Sequence, residues 1–205
     1  MHNYFEIYSL HEENLIIHAD NCSGQNKNNA MIQYLAWRVL KGRHKKITYS
    51  FMVPGHTKFS PDGFFGLFKL KLKKSEVDDL EDLVKVIEES TNGYNRAQTI
   101  FDKDGERKVF FYKWTEYLKN FFKQLIGISE YHHFIFTQEN PGVVFVKKHI
   151  DSEFKIIDIS KNLNAEPELE QKFPVGLTTE RRKYLSEEIS KFVQNPIKKE
   201  FYLNL

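Results

Sequence analysis

A single cysteine, Cys22, in 205 residues excludes an intrachain disulfide and any zinc site built on several thiolates. A reducing compartment, cytosol or nucleus, is therefore expected. No apolar run approaches the roughly 20 residues that cross a bilayer as a helix, so no membrane partner is expected. The opening MHNYFEIYSLHEENL has no basic n-region, apolar core or cleavage pattern, and the chain is not expected to be secreted. Neither an internal repeat nor a low-complexity tract interrupts it.

What is present points to a folded domain. The hydrophobic fraction is 40% and there are 18 phenylalanines, enough apolar mass for a sizeable core. The net charge of +2 is unevenly spread: residues 1–74 hold 11 Lys and Arg against 5 Asp and Glu, leaving 19 against 23 for the remainder. A basic first third suits a polyanionic partner, because Lys and Arg displace phosphate counterions. A solvated surface gives the same count.

Periodicity predicts an α/β order. LIIHA reads as a buried strand ending at Asp20, and NNAMIQYLAWRVLKG as a helix stopped at Gly42. ITYSFMV, residues 47–53, is a strand, and Ser60-Pro61 opens a helix with Asp62 in its first turn. Ser75 with Asp78 predicts a capping box for the helix SEVDDLEDLVKVIEES. KVFFYKW reads as a strand or as the approach to a helix WTEYLKNFFKQLIG. HHFIFT and VVFVKKH look like an antiparallel pair, FKIIDIS a third strand, and TTERRKYLSEEISKFV a last amphipathic helix.

The most unusual stretch is HADNCSGQNKNN. A strand that stops at an acid and runs into amides and glycine holds a polar group at a strand tip. Adjacent parallel strands joined by a helix end at the same sheet edge, where ligands collect in such folds. The loop before Asp62 leaves from that edge, so the carboxylates of Asp20 and Asp62 are expected to converge there. Two hard-oxygen acids in a basic setting suit Mg²⁺ or Mn²⁺. Such ions activate a water or a 3′-hydroxyl at a phosphodiester.

HADNCSGQNKNN together with GHTKFSPDGFFGLFK resembles an uncharacterised eukaryotic family from transposon-rich genomes whose members look transposase-derived. The strand–acid–helix–strand–acid order is similar to the second half of the RNase H-like fold of DDE/DDD transposases and retroviral integrases. That resemblance implies a partial RNase H-like core over residues 1–128, an antiparallel strand region over 129–160, and a linker with a terminal helix over 161–205. It implies Asp20 and Asp62 as catalytic, metal-binding acids. His18, Asn21, Gln25, Asn26, Lys27, His56, Thr57 and Lys58 match the same motifs as nucleic-acid-contacting or supporting residues. DNA is the implied partner, with RNA as the alternative, in the nucleus or else the cytoplasm. The fold's first acid belongs on an earlier strand, and only 14 residues precede Leu15. The chain is therefore expected to be an incomplete or inactive metal-dependent nuclease or strand-transfer domain, and to hold two metal ions only if that acid is supplied.

Other readings stay open. A catalytically dead nucleic-acid-binding module needs the scaffold and the basic surface alone. Asp20 also suits a helix cap and Asp62 a first-turn acid, while His18 suits a hydrogen-bonded strand position. GHTK resembles the GHTH element of calcineurin-like metallophosphatases, but Lys58 stands where that class has a histidine.

Overall fold

A computed structural model describes residues 1–8, 11–52, 60–102 and 104–205. The elements run α1 (His2–Tyr8), β1 (Asn14–Ala19), α2 (Asn29–Leu40), β2 (Lys46–Phe51), α3 (Ser60–Leu72) and α4 (Leu80–Glu89). They continue with β3 (Phe111–Tyr112), α5 (Trp114–Leu118), β4 (His133–Thr137), β5 (Val143–Lys147), β6 (Lys155–Asp158) and β7 (Gln171–Lys172). Helices α6 (Thr179–Glu187) and α7 (Pro196–Leu203) follow. The chain divides into two units, Met1–Thr57 with Phe110–Lys172, and Lys58–Val109 with Phe173–Leu205. No helix among the described residues is long and apolar enough to cross a membrane.

The first unit is built on a five-stranded mixed sheet of order β1-β2-β4-β5-β6. β1 and β2 are parallel, with Ile17 opposite Tyr49 and His18 opposite Ser50. The remaining pairs are antiparallel. The segment 129–160, expected as a region of its own, contributes β4, β5 and β6 to the sheet that β1 and β2 begin. Burial alternates along β4 and β5, as it must in a sheet with one face on the core. Ile47, Tyr49, Phe134, Phe136, Val144 and Val146 make that face. Each such side chain contributes about 1.5–3 kcal/mol on burial.

α2 lies against this core. Its start is fixed by Asn28, whose side chain accepts from the Met31 N–H at 3.0 Å. Every residue from Ile32 to Val39 is buried, so the polar ones need partners. The Gln33 amide donates to the Lys123 carbonyl at 3.0 Å, and the Trp37 indole to the Tyr117 hydroxyl at 3.2 Å. Arg38 donates to His44 Nε2 at 3.1 Å and to the Tyr34 hydroxyl at 2.9 Å, with Phe5 stacked on its guanidinium. α5 stops at Leu118, shorter than the helix expected over 114–127. The irregular turns after it bury Phe121, Phe122 and Leu125. Gly142 closes the β4–β5 turn with φ +83°, and its carbonyl accepts from the Ile159 N–H at 2.9 Å.

The second unit is helical. The expected capping box at Ser75 and Asp78 lies four residues further on. Asp79 caps α4, accepting from the Asp82 N–H at 2.9 Å, while Asp82 accepts from the Asp78 N–H at 3.0 Å. Ser75 instead donates to the Lys71 carbonyl at 2.9 Å, at the end of α3. Asp78 holds the start of α7 by accepting from the N–H groups of Gln194 and Asn195. Lys198 pairs with Asp79 at 2.9 Å and Asp82 at 2.6 Å. The segment 161–205, expected as a linker with one terminal helix, carries two helices, α6 and α7.

Candidate functional site at the carboxyl end of the parallel strands

β1 ends at Ala19, and the chain turns at once. Asp20 Oδ1 accepts from the side-chain amide of Asn26 and from the Cys22 N–H at 3.4 Å. The Cys22 carbonyl accepts from the N–H groups of Asn26 at 2.9 Å and Lys27 at 3.0 Å, closing the turn. Tyr49, from the neighbouring strand, donates its hydroxyl to the Asn26 carbonyl at 3.0 Å. Burial pushes the Tyr49 phenol well above its ordinary range, and the nearby Asp20 carboxylate adds to the shift. That hydroxyl therefore stays a proton donor to the turn at every ordinary pH.

The other motif residues divide by burial. Lys27 is buried, and its ammonium donates to the Ser129 carbonyl at 3.0 Å and sits 5.3 Å from the Phe51 ring centre. Burial lowers its pKa. The side chain thus braces the turn from inside. Gln25 is exposed, and its carbonyl accepts from Asn28 at 3.1 Å. Asn29 pairs with the backbone of Leu125, accepting at 2.7 Å and donating at 3.4 Å. His18 is exposed on β1 opposite Ser50. Asn21 holds a buried side-chain oxygen with no hydrogen-bond partner among the described residues. Asp62 lies in the first turn of α3, in the second unit. His56, Thr57 and Lys58 fall outside the described residues.

The sheet order brings further groups to the same end that motif reading passes over. β4 starts there and β5 finishes there, because both run antiparallel to their neighbours. His133 Nδ1 lies 3.0 Å from the Ser50 hydroxyl, and the Phe51 N–H donates to the His132 carbonyl at 2.7 Å. His132 Nδ1 donates to the Lys148 carbonyl at 2.9 Å, and its ring lies parallel to that of His149. Lys147 ends β5 and Lys148 follows it, and Lys155 opens β6 with a bond to the Tyr131 hydroxyl at 3.0 Å. Glu130 answers Lys148 at 3.0 Å. Burial, followed by the neighbouring cationic groups, lowers the pKa of both His132 and His133. YHHF and VKKH carry this signal in sequence, but strand pairing alone joins them to Asp20.

The donor set suits a hard cation in part. Asp20 supplies one carboxylate and Asn21 an amide oxygen that is unpartnered among the described residues. Magnesium is commonly held by one or two carboxylates with waters and substrate phosphates completing its shell. Among the described residues, no three His, Cys, Asp or Glu side chains gather as a ready metal cluster.

Residues 5–153 match the family described as Domain of unknown function (DUF7869). No curated protein matches the chain, and no solved structure does. The family match takes in β1 through β5, the Asp20 turn and the His132–His149 rim, well over half of the 205 residues, so the chain belongs to the DUF7869 family.

Proposed function

We propose that this is a transposase-derived, RNase H-like domain that acts on DNA phosphodiesters, with Asp20 helping to hold Mg²⁺ or Mn²⁺. The supporting observation is the placement of Asp20. It stands at the carboxyl end of a parallel strand pair, oriented by Asn26 and the Cys22 N–H, beside a rim of lysines and histidines. Ligands collect at that edge of parallel sheets. A divalent ion held there by Asp20 would supply an activated water or 3′-hydroxyl and would steady the leaving oxygen. The chain's own part is to orient the Asp20 carboxylate through Asn26 and to draw the phosphate backbone to the rim. A DNA partner implies a nuclear protein.

Calorimetry with Mn²⁺ on the whole chain tests this reading. Binding is expected in the parent and a loss of about tenfold or more in Asp20→Asn, since removing even an outer-shell partner of a metal costs about tenfold or more. Identical isotherms for the parent and Asp20→Asn would overturn it.

The cationic rim also favours a second reading, a nucleic-acid-binding module without chemistry. It predicts DNA retention that falls steeply with salt, with no cleavage and no dependence on Asp20.

A further inference from the structure

The sheet face turned away from the core carries three cross-strand rows. Strand register sets Ile16, Thr48, Ile135, Phe145 and Ile156 side by side across all five strands. The row toward the Asp20 end is His18, Ser50, His133 and Lys147. The row on the other side runs Asn14, Lys46 and Thr137. α2 packs on the opposite, buried face, while Ile16 and Ile156 remain 69% and 65% exposed. Just before β6, Phe154 meets Phe145 edge to face, with ring centres 6.5 Å apart. The Lys147 ammonium sits 4.2 Å from the Phe154 ring centre.

We propose that this face binds single-stranded nucleic acid, with bases lying on Phe145, Phe154, His18 and His133 and phosphates meeting Lys46 and Lys147. An apolar, part-aromatic row flanked by Lys147 on one side and Lys46 on the other matches a strand whose unpaired bases offer apolar faces and whose backbone is anionic. A duplex keeps its base faces stacked inside and has no use for the central row. Charge selects the occupant further: Asp158 is the one carboxylate that β1–β6 place on this face, at its far corner. Five strands about 4.8 Å apart make a row about 19 Å long. Four-stranded sheets that bind single strands seat two or three bases on such a platform. Burial, followed by the neighbouring cationic groups, lowers the pKa of His133 and so favours its neutral imidazole. The proposal rests on the nucleic-acid reading above and is independent of any metal at Asp20.

The test is fluorescence anisotropy of the whole chain in EDTA at about 50 mM salt. The probes are a labelled oligo-dT of about 15 nucleotides and a duplex of the same length. Phe145→Leu keeps apolar bulk and removes the stacking face; Lys147→Gln removes a charge and leaves the core untouched. Each is expected to weaken oligo-dT binding about five- to tenfold, with duplex affinity changed less than about twofold by Phe145→Leu. Unchanged oligo-dT binding in both variants overturns the proposal. Duplex binding without single-strand binding in the parent overturns it while sparing the nucleic-acid reading; binding of neither probe overturns both. Should Phe145→Leu fail to fold by circular dichroism, Lys147→Gln decides alone.

Discussion

The side-chain amide of Asn26 donates to the carboxylate of Asp20 across the turn that follows β1. The segment from Asp20 to Lys27 is drawn into a loop by that bond and by the two N–H groups on the Cys22 carbonyl. The carboxylate is oriented before any ligand arrives, as a site on a rigid strand end requires.

Replacing Asn26 by alanine removes a hydrogen bond to a charged group. Stability to urea is expected to fall by about 1.5–3 kcal/mol. Mn²⁺ affinity should fall as well, because the carboxylate loses its orientation. Denaturation curves and calorimetry on one preparation check both effects.

Tyr49→Phe leaves the ring in the core and deletes the donor to the Asn26 carbonyl. About 1 kcal/mol of stability should be lost, with the secondary structure unchanged by circular dichroism. A similar loss of Mn²⁺ affinity in Tyr49→Phe and Asn26→Ala would show that the turn acts as a unit.

Acid should weaken the fold through its histidines. His2, His44, His132 and His133 all have folded pKa values lowered, with burial the largest cause. As pH falls through the unfolded value of about 6.5, the unfolded chain binds protons that the native state refuses, so stability drops. The loss levels off once the lowered folded values are passed. Urea midpoints should therefore rise from pH 5 to pH 7, and His133→Gln should flatten part of that slope.

Gly142→Ala meets two obstacles. The backbone has φ +83°, and an added Cβ would stand 2.8 Å from the Ser160 Cβ. A cost of about 1–3 kcal/mol is expected, read as a lowered thermal midpoint. Gly24, with none of the described residues within 4 Å of its missing Cβ, should tolerate alanine in the same assay.

Local patterns reveal much of this architecture. The helix capped by Asn28 and the alternation in HHFIFT and VVFVKKH are properties of neighbouring residues and produce the expected elements; the apolar run before Asp20 also gives a strand, but at the sheet edge with Ile16 exposed, not buried as expected. Capping is less secure, since Ser75 and Asp79 both suit a helix start. Competition for carbonyls at the end of α3 takes Ser75 away. The expected helix after Trp114 gives way because burying Phe121, Phe122 and Leu125 together outweighs continued helical bonding.

Chain chemistry alone dictated that a carboxylate would stand at a strand tip among amides, since that depends on residues a few places apart. Pairing across distant segments settled which groups surround it. The antiparallel entry of β4 beside β2 carries His132 and His133 to Asp20's end of the sheet. The same pairing lines up Ile16, Thr48, Ile135, Phe145 and Ile156 on one face. Their spacing along the chain holds no trace of that row, because strand register is fixed by core burial on the opposite side.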